Sequence, residues 1–208
     1  FSAALPRMID TLIGCAIAWF GVSFIFPDWK FRRLPRSIKR SLNAEVDYLS
    51  EVIEQYKTGR NNGLRYRVVR RAAHNTDAEV ASLISTLATE PDFDPLQKSQ
   101  AFEFLCLNHT LISYIAALGA HREKIEDQEI LSLLDQALED IRGALLADEV
   151  PDLSAQNMIH NIRQRLSHQQ DEDQKSLIIL QQLSLMFSIL NQLSQLKQSL
   201  SHERDEQA

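Results

Sequence analysis

A run of apolar residues that stops at a dense block of positive charge constrains this chain more than any other feature. Residues 9–29 carry only two charged side chains, Asp10 and Asp28. Lys30, Arg32, Arg33, Arg36, Lys39 and Arg40 follow directly. Such a pattern predicts a helix that leaves the bilayer on its cytoplasmic side, where Lys and Arg are retained. The chain starts at Phe1 rather than Met. The expectation is the C-terminal piece of a larger bacterial inner-membrane protein. Residues 1–29 would hold the final transmembrane helix and its flank, and residues 30–208 a cytoplasmic helical domain.

The length of the run leaves a competing reading open. Its uncharged part, residues 11–27, is near the lower limit for crossing roughly 30 Å of hydrocarbon, and runs this short also occur as core helices of soluble domains. Gly14, Cys15, Gly21 and Ser23 interrupt it. In favour of the membrane, Trp29 and Phe31 sit where interfacial anchors belong, Pro27 falls at the change of polarity, and the basic block lies on one side only. A secretory signal peptide fits poorly. No basic segment precedes the run at a start Met, and no small-residue cleavage site follows it.

Beyond Pro35 about 170 residues remain, enough for one helical domain with its own core. The formal net charge is −6, but residues 30–74 are basic and residues 123–173 acidic. A net negative chain is a poor nucleic-acid partner as a whole. The basic half more simply faces anionic lipid headgroups. Cys15 and Cys106 lack metal-ligand spacing and are expected to be free thiols.

Helical periodicity runs nearly throughout. Pro35 suits a first helical position, and a helix is predicted over residues 36–57. Its buried face would carry Ile38, Leu42, Val46, Leu49, Val52, Ile53 and Tyr56 at i, i+3/i+4 spacing. Gly59, Asn61, Asn62 and Gly63 predict a turn. Further helices are predicted over residues 64–89, from Asp94-Pro95 to about Gly119, from Asp127 to about Ala147, over residues 154–166, and from Asp171 or Asp173 to about Leu200. No charge falls between Lys175 and Lys197, so the last helix has membrane length. Yet Gln181, Ser184, Ser188, Asn191 or Gln192, and Gln195 form one polar stripe, opposite Leu180, Leu183, Phe187, Leu190, Leu193 and Leu200. That is an amphipathic bundle helix. Its near-heptad spacing also suits pairing with a second copy. The fold class is all-α: one transmembrane helix followed by an antiparallel helical bundle.

Two constellations carry chemistry. Arg7, Asp10, Thr11 and Gly14 lie along one face at the start of the membrane helix. Arg7 and Asp10, three apart, can pair, and Gly14 permits close helix contact in lipid. Ionisable groups here point to function if they face a bundle or pore, or else fix the helix's depth at the interface. The second is Tyr66, Arg67, Arg70, Arg71, His74 and Asn75. Arg67, Arg70 or Arg71, and His74 share one side of a helix and suit a phosphate, a lipid headgroup or a carboxylate. The competing reading is a solvated face paired with the acidic half of the same domain. His109 is expected to be a satisfied core or bundle histidine. The remaining histidines lack i, i+4 pairing, so no helical metal pair is predicted. No phosphate-binding Gly loop, nucleophile elbow or Cys cluster is present, so no catalysis, metal or cofactor is expected.

The segment from Arg7 through Asp10, Thr11 and Gly14 to Pro27, with Tyr66-Arg67, Arg70-Arg71 and His74-Asn75 downstream, resembles the fusaric-acid-resistance-like (FUSC) membrane proteins. The likeness is greatest to their YccS/YhfK branch and covers the chain to about Glu90. It implies a longer protein with two sets of membrane helices, each followed by cytoplasmic helical domains. Relatives in that family include exporters of aromatic carboxylic acids. The implied function is the C-terminal part of an inner-membrane efflux protein, with a cytoplasmic domain for assembly or regulation. Its implied partners are the lipid bilayer, the remaining transmembrane helices and a second copy. The alternative is a membrane-anchored helical scaffold without transport.

Overall fold

The computed structural model describes residues 4–21, 29–60, 63–89, 94–147 and 174–202. The chain divides into two compact units, Phe1–Arg33 and Leu34–Ala208. Among the described residues there are six helices and no strand.

The first unit contains α1, Ala4–Phe20. Every residue from Arg7 to Phe20 is exposed within the unit, including Leu12, Ile17 and Trp19. Beyond Thr11 the helix is apolar on every side, and such an exposed apolar surface is suited to hydrocarbon or to a partner. Its 17 residues rise roughly 26 Å. The remainder of the apolar run, with Pro27, lies outside the described residues.

The second unit is built on the part of α2, Trp29–Thr58, that follows Arg33. The helix begins earlier than its sequence pattern predicts, and Pro35 lies inside it rather than at its first position. An interior proline costs about 3 kcal/mol through one lost hydrogen bond and a ring clash. Eight buried side chains on one face offset that cost, namely Leu34, Ile38, Leu42, Val46, Leu49, Val52, Ile53 and Tyr56. Each contributes about 1.5–3 kcal/mol. Gly59 ends the helix with φ of 96°, and its N–H donates to Gln55 O at 2.9 Å. This left-handed termination favours glycine.

α3 is Leu64–Leu87, two residues shorter than predicted, because Ala88 and Thr89 turn back onto Ile84 and Thr86. α4 is Pro95–Ala120; its N-cap Asp94 accepts from Leu96 N and Gln97 N at 3.2 Å each. α5 is Gln128–Leu146, capped by Asp127, which accepts from Glu129 N at 2.8 Å. α6 is Gln174–His202. The helix predicted over residues 154–166 lies outside the described residues.

Cross-links fix the packing. Arg40 meets Glu79 while Glu51 meets Arg65, so α2 and α3 run antiparallel. Asp77 meets Asn108 while Tyr66 approaches Gly119, so α3 and α4 do too. Gln192 reaches Glu103 and Ser199 reaches Gln100, which sets α6 antiparallel to α4. α4 and α6 are each long and apolar enough to cross a membrane. Both nevertheless supply the core, through Phe104, Leu111 and Ile112 of α4 and Leu183, Phe187 and Leu190 of α6. On α6 the predicted polar stripe is outside, with Gln181, Ser188, Asn191, Gln192 and Gln195 exposed. Of the two expectations for His109, core or bundle, the structure meets the second: it is partnered on a bundle helix but not buried. Its side chain is exposed on α4 with Nδ1 3.0 Å from Asp77 Oδ2, while its neighbour Asn108 takes the buried place. Cys15 and Cys106 are free and exposed.

Candidate anion-binding site

The sequence points to α3, and α3 lines a sizeable cavity within the second unit. The cavity holds about 470 Å³ and is lined by Tyr48 of α2, Arg60, Tyr66, Arg67 and Arg70 of α3, Ala116, Gly119 and Ala120 of α4, and Arg122. Of the predicted basic stripe, Arg67 and Arg70 reach it; Arg71 and His74 are exposed and do not line it. The helical step explains the split. Residues 66, 67 and 70 share a face; Arg71 lies beyond its edge, and His74 is on the same face but one turn further along α3, its ring 6.4 Å from that of Tyr48.

Tyr66 is the buried hinge of this wall. Its ring lies 5.8 Å from that of Tyr48, edge to face, and the two hydroxyls are 3.3 Å apart. Gly119 makes the approach possible. A Cβ there would stand 3.4 Å from both hydroxyls and 3.2 Å from Val52 Cγ2. Burial first, then the contact with Tyr66, raises the Tyr48 hydroxyl above its ordinary value, so it stays protonated. The positive charges of Arg70 and Arg122 oppose that rise.

Arg122 is the anchored cation of the site and only 5% exposed. Its guanidinium sits 3.9 Å from the Tyr66 ring centroid. Nε donates to Gln55 Oε1 at 2.7 Å, and Nη1 donates to Gly119 O. The ring face and two neutral oxygens thus hold the planar group in a fixed orientation. The charge of Arg60 is also felt by Glu123, whose carboxyl is held below its ordinary value by a hydrogen bond and charge from Lys175, with smaller help from Arg60 and His121.

Arg60, Arg122, Tyr48 and Gly119 were not legible as site residues. Arg122 lies among His121, Glu123 and Lys124 and reads as surface charge. Only the antiparallel packing of α3 on α4 brings it over Tyr66. The competing expectation, that the stripe pairs with the acidic half, is not realised among the described residues. No described carboxylate forms an ion pair with Arg67, Arg70 or Arg71. Residues 148–173 of the acidic half lie outside the described residues.

The other predicted constellation stays on α1. Thr11 Oγ1 donates to Arg7 O at 2.8 Å. No ion pair joins Arg7 to Asp10 among the described residues, although their three-residue spacing permits one; both side chains are exposed on the helix, where a pair gains little. A Cβ on Gly14 would meet nothing within 4 Å, so no neighbour in its unit uses the space. Among the described residues, no three His, Cys, Asp or Glu side chains gather as metal ligands would.

No family model and no solved structure matches the chain. Among curated proteins, it is 45% identical over 94% of its length to the inner membrane protein YccS of Escherichia coli, covering 27% of that protein. It is 38% identical over 61% of its length to an uncharacterized protein of Haemophilus influenzae, covering 18% of it. It is 36% identical over 56% of its length to uncharacterized protein ORF2 of Neisseria gonorrhoeae, covering 28% of it. Identity at this level across nearly the whole chain means that the chain belongs with the YccS-type inner-membrane proteins, spanning about a quarter of the relative that it matches over most of its length.

Proposed function

We propose that this chain is the C-terminal region of an inner-membrane efflux protein for organic acids, aromatic carboxylates among them. In this reading α1 crosses the bilayer beside further helices of the same protein. The bundle α2–α6 stands in the cytoplasm and serves assembly or regulation. The observation that carries it is the 45% identity to an inner membrane protein over 94% of the chain. Two further features support it. The exposed apolar surface of α1 suits lipid and neighbouring helices. The basic residues 30–40 after it match the retention of Lys and Arg on the cytoplasmic side.

The test uses the full-length protein. Reporters fused after Arg40 and after Ala208 should both read cytoplasm; a periplasmic signal at either overturns the orientation. Cells lacking the protein should retain a labelled aromatic carboxylate, and expression should restore its efflux. Correct topology without any change in efflux would leave a membrane-anchored scaffold as the function.

A further inference from the structure

The cavity between α2, α3 and α4 is a concentration of positive charge, with four arginines in its lining. Several cations elsewhere in the unit have acidic partners, Arg40 with Glu79, Lys57 with Asp135, Arg65 with Glu51 and Arg142 with Glu139, and Lys98 and Lys197 donate to backbone carbonyls. Arg65 is on the same helix as Arg67 and Arg70 and is paired. The next two arginines in the cavity wall have no carboxylate partner among the described residues, and no Asp or Glu lines the cavity. Like charges brought together without a counter-charge repel each other. An arrangement of this kind is suited to an anion supplied from outside.

From this geometry we infer that the cavity binds the phosphate group of a small phosphorylated molecule, with Arg60, Arg67 and Arg70 closing on its oxygens above an Arg122 already held in place. The inference does not depend on the transport reading.

Three observations argue for a small phosphorylated ligand, and the first of them separates phosphate from a carboxylate. The first is charge: a carboxylate brings one negative charge to four guanidiniums, whereas a phosphate monoester brings nearly two and three acceptor oxygens. Planar forks match those oxygens in pairs. The second is the tyrosine pair. One hydroxyl proton is spent in the 3.3 Å contact between Tyr48 and Tyr66. Both tyrosines line the cavity, so the second hydroxyl is available at its wall. The third is size. About 470 Å³ exceeds the need of a bare ion and falls in the range of small-ligand sites. The small side chains of Ala116 and Ala120, with Gly119 between them, leave a flat wall for the organic part.

A soluble metabolite and a phospholipid headgroup offer the same chemistry. The experiment separates them on the full-length protein. In detergent, binding of pyrophosphate, adenosine monophosphate and benzoate is measured by calorimetry at matched chloride ionic strength. In parallel, the thermal midpoint is measured in nanodiscs of zwitterionic lipid with and without phosphatidic acid. A soluble phosphorylated ligand predicts binding of the phosphates, weakened roughly tenfold or more by joint Arg67→Ala and Arg70→Ala changes, and unaffected by Arg71→Ala outside the cavity. A headgroup predicts a rise in midpoint with phosphatidic acid that the same double variant abolishes. Because Arg67 and Arg70 are exposed, the double variant should keep its helical circular dichroism. Equal binding by wild type and double variant, benzoate binding as tightly as the phosphates, or no response to any phosphate probe would each overturn the inference.

Discussion

Asn108 donates from Nδ2 to Asp77 Oδ1 at 2.9 Å, tying α4 to α3 inside the bundle. The same amide reaches Ser41 Oγ of α2 at 3.4 Å. The other oxygen of Asp77 lies 3.0 Å from His109 Nδ1. One buried amide therefore links three helices, and its loss leaves Oδ1 of Asp77, a residue only 7% exposed, without this partner. Asn108→Leu should destabilise the protein by about 2 kcal/mol, the cost of leaving a buried polar group unsatisfied. Denaturant unfolding of the purified protein measures it. A change within about 0.5 kcal/mol, as surface substitutions give, would show that water replaces the amide.

Glu45 sits next in this network, wholly buried, and accepts from Ser41 Oγ at 3.3 Å. Its Oε2 and Asn108 Oδ1 have no hydrogen-bond partner among the described residues. An ionised carboxylate and an amide oxygen both accept, and a proton on Glu45 makes one of them a donor. Burial first, then the negative charge of Asp77, raises the Glu45 carboxyl well above its ordinary value, against hydrogen bonds from Ser41 and Asn108. The folded protein therefore keeps a proton that the unfolded chain releases above pH of about 4.5. Stability from this group is full below that pH and falls as pH rises toward the elevated folded value. Glu45→Gln cannot ionise. Its unfolding free energy should decline less than that of the wild type between pH of about 5 and 8, and equal slopes would refute the assignment.

Lys197 is buried on α6 and caps a different helix. Its Nζ donates to Leu145 O at 3.2 Å and Ala147 O at 2.5 Å, at the C-terminal end of α5. Ser194 Oγ adds a bond to Ala144 O at 3.1 Å. A cation there satisfies the last carbonyls and complements the negative end of the helix. Lys197→Met keeps the aliphatic stem and removes the donors. It should cost about 1–3 kcal/mol, read as a lower unfolding midpoint. An unchanged midpoint would mean that the stem alone stabilises the α5–α6 contact.

These contacts mark where sequence reading stops. The helices were legible wherever one face is apolar and the ends carry their own signals. Asp94-Pro95 and Asp127 stand at the starts of α4 and α5, and Gly59 follows α2, because capping is a local matter of one side chain and a few backbone groups. The start of α2 was not, since Pro35 reads as a first position and the burial that tolerates it inside comes from other helices. Half of the basic stripe was legible as a site: Arg67 and Arg70 share a face by their spacing alone. Arg60 and Arg122 joined it only through packing, as did Tyr48. Asn108 and Asp77 carry no pattern that separates a buried polar pair from surface polarity.

The orientation of α6 offers the sharpest check on the bundle, because the helix is long and apolar enough to span a membrane. In a bundle its two faces differ. Gln181, Ser188, Asn191 and Gln195 face water, and Leu183, Phe187 and Leu190 are buried. In a bilayer, by contrast, both faces near the helix centre would be shielded from a water-borne reagent. Single cysteines at these positions, in a background with Cys15→Ser and Cys106→Ser because both native thiols are exposed, can be treated with a membrane-impermeant maleimide on inverted vesicles. Gln181→Cys, Ser188→Cys, Asn191→Cys and Gln195→Cys should label rapidly, and Leu183→Cys and Leu190→Cys slowly until denaturant is added. Uniform protection along residues 181–195 would place α6 in lipid and dissolve the bundle. Labelling confined to the polar stripe would place its water-facing side in the cytoplasm.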